Sequence, residues 1–201
     1  VTLFDAGHIL GSAIVQLDLI EHNEKRTLVF SGDLGHTGAP ILQNPTALHH
    51  ADLVMMESTY GDRLHRGWKE TWQELGEIFQ NARNDKGNIL IPAFTVGRTQ
   101  EILYMFGQYF DEWGLADWEI FLDSPMAIET NRIYSKYSNI YNHQAQRRNK
   151  DCGNPFDLPN LHLTESTDAS MNINKLQSGA IIIAGSGMCT GGRIKHHLKH
   201  N

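Results

Sequence analysis

The sequence has little cysteine: Cys152 and Cys189 are the only two thiols in 201 residues. Two thiols do not make a disulfide framework, so a reduced compartment, the cytoplasm, is the expectation. No apolar run approaches the roughly 20 residues that a bilayer-spanning helix needs, and no membrane partner is expected. No heptad or solenoid period recurs, which sets aside coiled coils and repeat arrays. A hydrophobic content of 40% is too high for a disordered chain. Positive charge is also short, with 17 Lys and Arg against 23 Asp and Glu. A net charge of −6 argues against a protein that is basic over its whole surface.

The charges are unevenly placed. Residues 1–62 hold eight acids and only two bases, Lys25 and Arg26, which accounts for the entire net charge. Residues 169–201 hold no acid at all, while Lys175, Arg193, Lys195 and Lys199 stand there with His196, His197 and His200. An acidic pocket suits a cation, and a basic strip suits phosphate.

The pattern along the chain divides in two. Residues 1–57 read as short strands: Val1 to Asp5, Ala13 to Ile20, Thr27 to Phe30 and a buried-type run from Leu53 to Met56. Glu21 to Arg26 reads as a hairpin turn, and glycines mark the other turns. Beyond residue 66, Trp68, Trp72, Leu75, Phe79 and Ala82 recur at helical spacing. Short apolar strands then alternate with helices: a strand at 88–92, a helix carrying Ile102 to Trp113, and a strand at 118–122. Ser124 and Pro125 supply an N-cap and a first-turn proline for a helix through Tyr137. Residues 140–160 are polar and show no clear period. A weak strand at 161–163, a helix at 167–176, a β-branched strand at 180–184, a glycine-rich loop and a helix at 193–200 complete the reading. Strands alternating with helices predict a mainly parallel sheet with helices on both faces, whose strand ends at 94–98, 123–125, 165–167 and 185–188 gather ligands. The two architectures join near residues 58–66.

Six places can carry chemistry. His8 in Asp5-Ala-Gly-His8-Ile-Leu-Gly-Ser12 and Asp33 in Ser31-Gly-Asp33-Leu-Gly35 each follow a strand. An imidazole and a carboxylate so placed suit Zn²⁺, though polar turn residues have the same look. Glu57 ends a strand and puts another carboxylate near that edge, or serves as a turn acid. Arg98 opens a helix after a strand, where a guanidinium suits phosphate or a surface ion pair. Gly185-Ser186-Gly187-Met188-Cys189-Thr190-Gly191-Gly192 lies between strand and helix, an anion-binding arrangement that matches neither the P-loop nor the dinucleotide fingerprint. His196 and His200 have i, i+4 spacing but lack the zinc-protease glutamate, so a solvated or phosphate-facing basic helix is expected there.

These motifs, in this order, resemble the β-CASP group of metallo-β-lactamase-fold nucleases. DAGHILGSA resembles the group's third metal motif and SGDLG its fourth; ESTYGDR resembles the acidic motif that opens the β-CASP part. IPAFTVGRTQEILY, LDSPMA and AGSGMCTGGRIKHHLKH resemble the RNA-processing branch, which includes bacterial and archaeal exonucleases and the pre-mRNA 3′-end cleavage subunit. The resemblance covers nearly the whole chain. It implies an α/β fold: part of a metallo-β-lactamase αββα sandwich over residues 1–64, then a β-CASP domain over 65–201 with a mainly parallel sheet flanked by helices. It implies two Zn²⁺ ions in the parent enzyme, with His8 holding one and Asp33 bridging both. Glu57 would orient a downstream histidine that acts as acid or phosphate clamp. Arg98, Ser186, Gly187, Met188, Arg193 and Lys195 would track single-stranded RNA, bound in a cleft between the two domains that the β-CASP part closes as a lid. A homodimer or an RNA-processing complex is the assembly to expect. The family's HxHxDH motif belongs upstream of His8, and its later histidine motifs belong beyond residue 201. The chain is therefore expected to be an internal fragment of a longer enzyme, inactive alone. A DNA-repair nuclease of the same superfamily and an inactive RNA-processing scaffold subunit are the alternative readings, and a small-molecule hydrolase of the fold is disfavoured by the long α/β insertion.

Overall fold

The computed structural model describes residues 1–200. The chain divides into two compact units: residues 1–67 with 139–146, and residues 68–138 with 147–201.

The first unit is built on a four-stranded sheet in the order β1-β2-β3-β4, with β1 Thr2–Asp5, β2 Ala13–Glu21, β3 Glu24–Phe30 and β4 Leu53–Met55. β1, β2 and β3 run antiparallel, and β4 joins β3 in parallel. The β2–β3 hairpin turns on two residues, His22 and Asn23, both with positive φ (48° and 66°). That geometry matches the strand twist and holds Glu21 opposite Glu24. A small core of Ala6, Ile14 and Val29 is flanked by Phe4, Leu34, Leu48 and Ala51. The Asn142 side chain donates to the carbonyls of Ala39, Pro40 and Leu42, which stitches the 139–146 segment to residues 39–42. The run from Leu53 to Met56 has buried-type composition, yet all four residues are more than half exposed. β4 is an edge strand with one neighbour, β3, so its apolar side chains are not enclosed.

The second unit contains a wholly parallel sheet in the order β5-β8-β6-β7, with β5 Ile89–Pro92, β6 Glu119–Leu122, β7 Leu161–Leu163 and β8 Ala180–Ala184. β8 enters between β5 and β6, and all five of its residues are buried, so both faces of the sheet are covered there. Ala180 and Ile182 pack with Ile173 of α5 (Thr167–Ile173), alongside Leu90, Phe121 and Leu176. Period-two alternation sends Ile181 and Ile183 to the opposite face. α1 (Trp68–Asp85) and α2 (Arg98–Gln108) bring together Phe79, Phe106 and, beyond α2, Trp113, whose rings meet at 5.4–6.3 Å. α2 stops at Gln108, short of the apolar pattern that continues to Trp113. Ser124 caps α3 (Pro125–Lys136) by accepting the Ala127 N–H, with Pro125 in the first turn. α4 (His143–Cys152) lies in a stretch read from sequence as aperiodic; only Ala145 is buried, so the helix has no apolar stripe. The Asn142 side chain caps it by accepting the Ala145 N–H. α5 ends three residues before the expected Leu176, and α6 covers Ile194–His200. No helix is long and apolar enough to cross a membrane among the described residues.

Candidate functional site

Each unit places candidate side chains at the ends of its strands. In the first, His8 follows β1 and Asp33 follows β3. β2 lies between those strands, so the two loops leave the same end of the antiparallel sheet. The Gly35 N–H donates to Ala6 O at 2.8 Å, and a Cβ on Gly35 would fall 1.8 Å from Gly7 O. Only glycine lets the two loops approach this closely. His8 Nε2 consequently stands 3.9 Å from Asp33 Oδ2, with both side chains open to solvent at 45% and 76% exposure. Ser12 Oγ accepts the His8 and Ile9 amides and fixes the turn beneath the imidazole.

Glu57 is tied to the same loop. Its Oε1 accepts the Leu34 N–H at 2.6 Å and its Oε2 accepts the Thr59 hydroxyl at 2.8 Å. Its own amide donates to Ser31 Oγ at 3.1 Å. The Leu34 amide first, then the Thr59 hydroxyl, hold the carboxyl below its ordinary value; partial burial opposes this, and His8 adds a smaller favourable field. Glu57 is therefore ionised and buttresses the Asp33 loop.

The donor chemistry of His8 and Asp33 fits a divalent ion of the zinc type, since imidazole nitrogen and carboxylate oxygen are its common ligands. The pair supplies two ligands, and no group of three or more His, Cys, Asp or Glu that could hold a metal occurs among the described residues.

In the second unit the segment after β5 adjoins the loop after β8, because β5 and β8 are paired. The Thr99 N–H and hydroxyl both donate to Phe94 O, at 3.3 and 2.8 Å. Buried Gln100 accepts the Gly97 N–H and donates to Thr95 O and Asn131 Oδ1. These bonds set Phe94 and Arg98 on a fixed backbone. Arg98 opens α2 and pairs through Nη1 with Glu101 at 2.7 Å while remaining half exposed.

The 185–192 loop folds on itself. Ser186 N–H reaches Gly191 O, Cys189 N–H reaches Ser186 O and Ile194 N–H reaches Gly185 O. The amides of Gly187 and Met188 have no partner among the described residues, and Ser186 Oγ is buried without one. Lys195 is exposed.

Behind this loop lies an arrangement that the sequence did not reveal. Asp123, at the end of β6, has no exposed surface. Its Oδ1 accepts Arg193 Nη1 at 2.7 Å, and its Oδ2 accepts Ser170 Oγ at 2.6 Å and contacts His197 Nε2 at 2.7 Å. Burial pushes the carboxyl up, but the bonds from His197, Ser170 and Arg193 together outweigh it and hold it below its ordinary value. Arg193, expected to meet phosphate, instead spends Nη1 and Nη2 on Asp123 and on the carbonyls of Thr164 and Glu165. His197, expected on a solvated helix face, is 1% exposed and lies between Asp123 and Asn174 Oδ1. The signal was its i, i+3 spacing from buried Ile194, which puts both on one face. His196 and His200 are exposed.

The second unit's parallel sheet carries a glycine loop at its strand ends, the first unit's sheet brings a histidine near an aspartate, and comparison with known proteins gives the family. Residues 99–201 match the Beta-Casp domain, and the chain belongs to the β-CASP family. It is 42% identical over 195 residues to Ribonuclease TTHA0252 of Thermus thermophilus, covering 97% of this chain and 44% of the relative. It is 30% identical to an RNase J-like protein of Methanocaldococcus jannaschii, covering 98% of this chain and 44% of the relative. It is 25% identical to Endoribonuclease YSH1 of Kluyveromyces lactis, covering 98% of this chain and 26% of the relative. The chain thus spans less than half the length of these curated relatives.

Proposed function

We propose that this chain is part of a zinc-dependent ribonuclease that hydrolyses RNA phosphodiester bonds in RNA processing or decay. The observation that carries the reading is the approach of His8 Nε2 to Asp33 Oδ2 at 3.9 Å across adjoining strand-end loops, in a member of a family whose named relatives include ribonucleases. The first unit's sheet then corresponds to part of a metallo-β-lactamase sandwich. His8 and Asp33 would be protein ligands of the metal. When bound, the ions supply an activated water and stabilise charge developing on the phosphate. Glu57 keeps the Asp33 loop in place through the Leu34 amide and presents its ionised carboxylate to a proton-carrying partner.

In the second unit, the unpartnered Gly187 and Met188 amides, with exposed Arg98 and Lys195, bind the RNA backbone. Arg193 works from behind, joining the loop to Asp123. The test is cleavage of matched single-stranded RNA and DNA oligonucleotides by the complete protein, with and without a chelator. RNA cleavage that stops on chelation supports the proposal. Cleavage of DNA alone would move the protein to the repair branch, and cleavage indifferent to chelation would contradict the metal role.

A further inference from the structure

We propose that Phe94 is a stacking platform for one base of single-stranded RNA, set beside the loop that follows β8. The inference rests on the ribonuclease reading and adds a base contact to its backbone contacts.

Phe94 is 55% exposed, although Ala93, Thr99 and Gln100 around it are almost wholly buried. A large apolar ring gains free energy by leaving water, so an open one on an anchored backbone asks for an occupant. The backbone that carries Phe94 is anchored. Its carbonyl accepts both hydrogen bonds from Thr99, and Gln100 ties the next turn through Thr95 O and the Gly97 N–H. One side of the ring lies close against the loop at Gly187. A Cβ on Gly187 would lie 2.9–3.1 Å from ring atoms Cδ2, Cε2 and Cγ. Gly187 is thus flush against the ring, and a side chain there would displace it.

Two kinds of recognition meet at this point. The Gly187 and Met188 amides are unpartnered donors suited to an anionic oxygen. The adjoining ring, with Met188 and Val96 also exposed, is an apolar platform. A polymer that repeats an anionic phosphate and a flat base at each step satisfies both at once. Stacking is tolerant of base identity because each base has a π face. The charge agrees: no acid occurs from residue 169 onward, and Arg98 and Lys195 are exposed.

The experiment measures binding of short, end-labelled, single-stranded RNA to the complete protein carrying Asp33→Ala to prevent cleavage. Phe94→Ala and Phe94→Trp are compared in that background. A second series replaces one nucleotide at a time with an abasic ribose. Phe94→Ala is expected to weaken binding by roughly 5- to 100-fold, and Phe94→Trp to restore it. One abasic position should reproduce the loss in the Phe94 protein and add nothing to Phe94→Ala. Unchanged binding by Phe94→Ala overturns the proposal. So does an equal loss on a fully abasic ribose-phosphate strand, which would mean that the ring only packs the loop. Failure of Phe94→Trp to restore binding in a protein with unchanged circular dichroism also overturns it. A change in oligomeric state with RNA affinity intact would assign the ring to a protein contact instead. If the parent protein binds no RNA at all, the ribonuclease reading falls along with this one.

Discussion

A carboxylate with no exposed surface survives only where its charge is met, and Asp123 is met by Arg193, Ser170 and His197. Asp123→Ala leaves the half-buried Arg193 guanidinium and the buried His197 imidazole facing a cavity. We expect it to destabilise the second unit by roughly 3–5 kcal/mol, read as a lower midpoint in urea unfolding. The pH dependence follows from the lowered pKa of Asp123. A carboxyl with a depressed folded-state pKa contributes stability that is present above its unfolded value, here 3.8, and is lost as pH falls through the folded value. The stability gap between the native protein and Asp123→Asn should therefore be full near neutrality and close progressively below about pH 4. A gap that stays constant down to the acid limit would show that the charge is not what Asp123 contributes. None of this was legible in sequence. Asp123 lies 47 residues from Ser170, 70 from Arg193 and 74 from His197, and only the sheet order brings them together. His8 and Asp33 were legible as strand-end residues, because strand, glycine and ligand follow one another locally.

Elements with strong local chemistry matched their sequence pattern. Ala180 to Ala184 is β-branched, apolar and central, and it forms the wholly buried β8. Ser124-Pro125 opens α3 as a cap and first-turn proline should. We expect Ser124→Ala to cost about 1 kcal/mol, measured as a shift in urea midpoint. Where the pattern misled, the reason is tertiary. The Leu53–Met56 run looks like core, but β4 is an edge strand and its faces are open. α4 carries no apolar stripe and could not be seen by periodicity; its start is fixed by Asn142, whose amide is held by carbonyls about 100 residues away. The loops after β1 and β3 make a further element-scale prediction. Gly35→Ala forces a methyl group into Gly7 and must part the two loops. It should lower metal affinity at His8 and Asp33 while the second unit's unfolding is unchanged; unchanged metal affinity would mean that the loop approach does not build the site.

At the scale of the whole molecule, the net charge of −6 is an average over unlike parts. The acidic part carries the His8–Asp33 pair and Glu57, and the acid-free stretch from residue 169 carries the glycine loop and Lys195. An average of this kind says little about a nucleic-acid partner, whereas its distribution agrees with a cation at one place and phosphate at another. Strand-helix alternation was enough to anticipate the parallel sheet; the order β5-β8-β6-β7 was not, since insertion of β8 depends on long-range pairing. Among the described residues, His8 and Asp33 are the paired candidate ligands, and the chain by itself should bind zinc weakly and cleave no RNA. The proposed role of Asp33, holding metal for RNA hydrolysis, is decided by one comparison. Metal content and RNA cleavage are measured on the same preparations of the complete protein, native and Asp33→Ala. The substitution is expected to lower bound zinc and abolish cleavage together. Full zinc with normal cleavage in Asp33→Ala would contradict that role.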